Sequence, residues 1–136
     1  MPSKATTEKA RRDLRAGKSP TTAAGEFVRE EIEHVRQGKH GARSTKQAIA
    51  IGLSKARRAG VPLPPPKGGQ AKRRTRRSAE RDYEVGQGRR ASKSPSPRRS
   101  AATRAALKRE GRGAASKQAL SKQAKSAATR RRRARR

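Results

Sequence analysis

Ser44-Thr45-Lys46-Gln47-Ala48-Ile49-Ala50-Ile51-Gly52-Leu53-Ser54-Lys55-Ala56-Arg57-Arg58-Ala59-Gly60 is the stretch that decides what this chain can fold into. Ser44 with Gln47 three residues on forms a capping box. Arg57 and Arg58 complement the negative end of a helix, and Gly60 followed by Pro62 closes it. The stretch predicts a helix with Ile49, Leu53 and Ala56 in one apolar stripe. Ile51 falls about 200° round from Ile49 at 100° per residue, which predicts a further contact there, from the N-terminal segment or from a second subunit.

The stripe needs a partner, and about fifteen residues upstream one is present. From Thr22 to Gln37, Val28, Ile32 and Val35 recur at helical spacing with Phe27 beside them, and Gly38 and Gly41 mark the stop. An antiparallel helical hairpin is therefore predicted, with a core of Phe27, Val28, Ile32, Val35, Ile49, Leu53 and Ala56 and a turn over residues 38–43. The outer face of the first helix carries Glu26, Glu30, Glu31 and Glu33 among arginines, a pattern of weak local ion pairs.

Outward from the hairpin the composition changes. The chain has 136 residues, 39 of them Lys or Arg against 10 acids, a formal net charge of +29, one Phe, one Tyr, no Trp and no Cys. A large core is excluded on that inventory, as are disulfides and thiolate chemistry. Neither an apolar run of membrane-spanning length nor a secretory leader is visible, so a cytoplasmic location is expected.

Four segments follow: a basic N-terminal segment over 1–20 with a short helix from Thr6 to Gly17, the hairpin module over 21–61, a Pro/Gly/Arg-rich linker over 62–99, and an Ala/Lys/Arg-rich tail over 100–136. In the linker Pro62-Leu63-Pro64-Pro65-Pro66 reads as a stiff polyproline II spacer, and residues 78–84 as a turn of helix carrying Tyr83. In the tail, alanine favours helix while like charges four apart oppose it, so helix is expected there when phosphate neutralises the charge. The fold class expected is mostly α: a small helical hairpin with largely disordered, helix-prone basic flanks.

The flanks carry the charge. From Val85 to Arg136 there are eighteen basic residues and one acid, Glu110. A polymer of that kind seeks a polyanion, and duplex DNA offers one negative charge per roughly 1.7 Å of axis. The candidate phosphate contacts are Arg43, Lys46, Arg57 and Arg58 on the hairpin, then Lys72, Arg73, Arg74, Arg76 and Arg77 in the linker. Ser96-Pro97 presents Arg98 and Arg99 in a turn that resembles the Ser-Pro-basic-basic tetrads of linker-histone and sperm-histone tails, where paired cations meet the minor groove. A solvated turn is the competing interpretation.

Ser116-Lys117-Gln118-Ala119-Leu120 is repeated as Ser121-Lys122-Gln123-Ala124-Lys125, and its five-residue period advances about 140° per repeat, so the lysines, Lys117, Lys122 and Lys125 among them, wind around a helix axis rather than lining one face. Low-complexity drift in an alanine- and lysine-rich tail is the competing interpretation. Arg130, Arg131, Arg132, Arg133, Arg135 and Arg136 close the chain; a run so dense binds phosphate in any conformation, and a nuclear-localisation signal is its other interpretation.

Catalysis has no foothold in the residue inventory. His34 sits on a helix surface, and His40 in a Gly-flanked turn suits a phosphate contact at most; no metal site and no cofactor are expected. Two aromatic side chains provide no stacking platform for single-stranded bases, which favours duplex phosphate over sequence-specific RNA recognition.

Residues 46–57, Lys-Gln-Ala-Ile-Ala-Ile-Gly-Leu-Ser-Lys-Ala-Arg, resemble the core of an uncharacterised family of small bacterial proteins in which a helix ending in Gly-Lys, here Gly38-Lys39, leads through a basic turn to such a helix. The resemblance implies a bacterial source and a helical hairpin, and no activity. The tail more loosely resembles histone H1-like basic tails. Together these readings predict a non-enzymatic, nucleoid-associated protein that binds duplex DNA with little base preference. In that reading Ile51 is a candidate homodimer contact. Two alternatives stand beside it: a protein-interaction module whose acidic face or Ile51 docks a partner enzyme of DNA repair or replication, with the arms as tethers, and an RNA- or ribosome-associated basic protein.

Overall fold

A computed structural model describes residues 2–135. Six α-helices follow one another: α1 (Lys4–Arg15), α2 (Pro20–Arg36), α3 (Thr45–Arg58), α4 (Arg73–Gly86), α5 (Pro97–Arg109) and α6 (Lys117–Ala134), with a 3-10 turn at Gly113–Ala115 before the last. There is no strand among the described residues, and no helix is long and apolar enough to cross a membrane. The mostly helical class is as the sequence predicts. The flanks depart from expectation: residues 73–86, 97–109 and 117–134 are helices rather than largely disordered chain.

Helix ends follow local chemistry. Ser3, not Thr6 or Thr7, caps α1, accepting the Thr6 N–H at 3.2 Å. Ser19 caps α2 by accepting the Thr22 N–H, with Pro20 as its first helical residue. Ser44 caps α3 through the Gln47 N–H at 3.2 Å, while the Gln47 side chain accepts the Arg43 N–H rather than that of Ser44. At the other end of α3, Gly60 adopts φ +101° and the Val61 N–H reaches back to the Ala56 carbonyl, a left-handed stop that only glycine makes without strain.

The chain forms two compact units, residues 1–31 with 50–94 and residues 32–49 with 95–136, and α2 and α3 contribute to both. The first holds α1, α4 and a core of Ala10, Ala23, Ala24, Phe27, Ala56 and Val61, with Leu14, Leu53 and Leu63 packed on it. Small residues let backbones approach closely. A methyl on Gly52 would meet the Val28 Cα at 2.7 Å, and one on Gly86 would meet the Arg57 carbonyl oxygen at 1.7 Å. An alanine-lined, glycine-notched core is how a chain so poor in large apolar residues excludes water here.

In the second unit Ile32, Val35, Ala42, Ala48 and Ala115 are buried. Backbone bonds attach the residues around α5 and α6 to the loop that precedes α3. The Gly41 N–H donates to the Leu107 carbonyl at 2.8 Å and the Ala42 N–H to that of Gly111, while Thr45 Oγ1 donates to Ala114 and Arg36 Nε to Ala115. These bonds are the physical reason the tail is ordered: they satisfy backbone groups that no apolar pattern announces.

Candidate nucleic-acid interface

α4 separates charge by face within the first unit. Ala79 and Asp82 are its buried residues. Asp82 accepts the Ser54 hydroxyl at 2.6 Å and Arg58 Nε at 2.7 Å, so the α3 face bearing Ile51, Ser54 and Arg58 meets α4, and Ile51 is half-buried. With Ala79 and Asp82 inward, Arg73, Arg77, Arg81 and Arg74 fall within about 100° of arc centred opposite Ala79 at 100° per residue. All four are exposed, line one concave surface with Ser78, and make no ion pair among the described residues. Glu84 falls inside that arc, between the directions of Arg73 and Arg77, and is occupied by Arg90 at 2.8 Å, while exposed Glu80 borders the arc about 20° from Arg73.

The remaining basic candidates take different places. Arg57 is 8% exposed and donates from Nε to the Leu63 carbonyl and from its terminal nitrogen to that of Pro64, both at 3.2 Å. Burial lowers its pKa, and the charge of Asp82 opposes that shift. It fastens the proline segment and leaves the set of phosphate contacts. Arg76 is half-buried, with Nε enclosed and without a hydrogen-bond partner. Arg43, Lys46 and Lys72 are exposed, and Arg58 keeps half of its side chain in solvent beyond Asp82.

In the second unit the Ser-Pro motif is a helix start and not a free turn. Ser96 caps α5 by accepting the Arg99 N–H, Pro97 is the first helical residue, and exposed Arg98 and Arg99 occupy the first turn. Ser116 caps α6 in the same way through the Ala119 N–H. No residue of α6 is buried. Lys117, Lys122 and Lys125 line one shallow concave surface with Gln118 and Ser121, and Lys117 and Lys122, five residues apart, stand about 140° from one another around the axis. Over eight residues the helix has turned only about 80° past two full turns, which returns Lys125 beside Lys117. Arg130, Arg131, Arg132, Arg133 and Arg135 are exposed, and Arg136 lies outside the described residues.

His34 and His40 meet edge to face, ring centres 6.1 Å apart, and His40 Nδ1 lies 2.8 Å from the Gly41 carbonyl oxygen. The predicted hairpin core is distributed between the units: Phe27, Leu53 and Ala56 in the first, Ile32, Val35 and half-buried Ile49 in the second. Val28 is half-buried against Gly52. On this face of α4 the basic residue absent from the predicted contacts is Arg81. Its signal was present at i+4 from Arg77 and i+8 from Arg73, and lost because residues 78–84 were read as a single turn instead of the continuation of one helix.

Residues 14–67 match the model of a family described as a family of unknown function (DUF6496). The matched span contains α2, α3 and the proline segment, and ends before α4. Neither the curated proteins nor the solved structures provide a match to the chain.

Proposed function

We propose that this protein is a non-enzymatic DNA-binding protein that neutralises phosphate with little base preference, a nucleoid-associated part of the histone H1-like kind. The observation that carries the reading is α6: an eighteen-residue helix with no acid and no buried side chain, whose cations all face solvent. Such a helix offers packing only partly buried residues such as Ala119, Leu120 and Ala127 and carries like-charge repulsion along its length, so its charge has its use outside the chain. In this reading α2 and α3 act as a helical-hairpin anchor, while α5 and α6 carry phosphate contacts along the duplex.

Affinity would come from counterion release. With 6 to 10 phosphate contacts, binding to a duplex of mixed sequence should fall by on the order of 10³ to 10⁵ between 50 and 200 mM salt. Fluorescence anisotropy of a labelled duplex across that range tests it, with a scrambled sequence and a structured RNA as competitors. Equal competition by the scrambled duplex supports the reading. An affinity independent of salt, or a marked preference for the RNA, overturns it.

A further inference from the structure

We propose that α4 carries a second phosphate-binding face for duplex DNA, built on the folded first unit and made of Arg73, Arg74, Arg77, Ser78 and Arg81. The proposal rests on the DNA-binding reading and adds to it a site outside the tail. Three features of α4 point to an external anion. Arg73 and Arg74 lie in the first turn, which holds no acid, so they sit at the positive end of the helix dipole where cations are disfavoured. Arg73 and Arg77, and Arg77 and Arg81, are like-charge pairs four residues apart, each opposing the helix. Of the acids that could relieve them, Asp82 is held inward by Ser54 and Arg58 and Glu84 is taken by Arg90, while exposed Glu80, three residues from Arg77, makes no ion pair among the described residues and leaves four arginines against one open acid.

The arrangement is electrostatically unfavourable alone and becomes favourable against a line of phosphates. From Arg73 to Arg81 the helix rises about 12 Å at 1.5 Å per residue. One strand of B-form DNA places a phosphate every 3.4 Å of axis, so the face spans roughly four phosphates, one for each arginine. Arginine forks match phosphate oxygens, and the Ser78 hydroxyl lies on the same concave surface as a further donor. Asp82 is a positioning residue: its bonds to α3 fix the rotation of α4 and so turn the arginines to solvent.

The test uses the full-length chain. Replacing Arg73, Arg74, Arg77 and Arg81 together by Gln is compared with a charge-matched control in which Lys4, Lys9, Arg12 and Arg15, exposed on α1, become Gln. Both remove four charges, so the control isolates place from net charge. With four phosphate contacts the slope of log affinity against log salt should fall by about 3.6 in the α4 variant, and by less than 1 in the α1 variant. Should the quadruple variant lose helix by circular dichroism, Arg77→Gln alone should lower the slope by about 0.9. Equal losses in the two quadruple variants, or none in the α4 variants while the wild-type chain binds DNA, overturn the α4 site and leave the general reading standing. A wild-type chain with no salt-dependent duplex binding removes both.

Discussion

Arg58 Nε lies 2.7 Å from Asp82 Oδ1, and this contact ties the last turn of α3 to the middle of α4. The carboxylate is nearly enclosed while the guanidinium keeps about half its surface in solvent. Its second oxygen takes the Ser54 hydroxyl, so one buried acid from a strongly basic helix satisfies two donors on its neighbour. α4 buries little else, with Ala79 its single buried apolar residue. The rotation of α4, and with it the direction of its arginines, is held by this pair together with Ala79 and the close approach of Gly86 to the Arg57 carbonyl.

Asp82→Ala should destabilise the first unit by roughly 1 to 3 kcal/mol, because it leaves Ser54 and Arg58 without their acceptor. Asp82→Asn keeps one acceptor oxygen and should lose less. Urea unfolding followed by circular dichroism measures both. An alanine variant with an unchanged midpoint would show that the contact does not hold α4.

Gly52→Ala and Gly25→Ala should act in opposite directions, although both lie inside helices. A Cβ at Gly52 meets the Val28 Cα at 2.7 Å, which costs about 1 to 3 kcal/mol from overpacking and outweighs the helix propensity gained. A Cβ at exposed Gly25 meets nothing within 4 Å, so its alanine should stabilise by about 0.5 to 1 kcal/mol. Paired thermal melts decide it: a higher Tm for the Gly52 variant contradicts the close packing of α2 on α3.

Arg57→Met should loosen the proline segment. It removes the donors to the Leu63 and Pro64 carbonyls, a loss of about 1 to 3 kcal/mol, and leaves the methylene stem packed. Amide exchange at Leu63 should quicken relative to α1. Since the guanidinium faces carbonyls rather than solvent, affinity for DNA in the folded variant should change less than twofold. A loss as large as that of an exposed arginine would return Arg57 to the set of phosphate contacts.

Gly41→Ala should uncouple the segment around α5 and α6 from the loop before α3, since a Cβ there would lie 1.9 Å from the Glu110 carbonyl oxygen. Backbone cannot yield as a side chain can, so the cost should reach about 3 kcal/mol. Limited proteolysis near Arg109 and Arg112 should accelerate strongly. Thr45→Val, which removes the 2.6 Å hydroxyl bond to the Ala114 carbonyl, should give a weaker effect of the same kind. Unchanged cleavage in both variants would mean that these contacts do not order the tail.

The sequence by itself determined the charge of this protein and the ends of its central helices. Both are local: Ser44, Gln47 and Gly60 act within a turn of the backbone they cap, and the cationic excess of the flanks is a count that no fold alters. Phe27, Leu53 and Ala56 were legible as core because large apolar residues at helical spacing carry a periodic signal. Only the tertiary structure decided that the flanks are ordered, that Arg57 turns inward, and that α4 presents Arg73, Arg74, Arg77 and Arg81 on one face. The cause is physical: these outcomes rest on small residues and on single polar bonds between distant positions, Gly52 on Val28, Asp82 on Ser54 and Arg58, Gly41 on Leu107. An alanine or glycine that permits close approach, or a lone acid that finds two donors, leaves no periodic trace, and its meaning exists only once the partner has been brought to it.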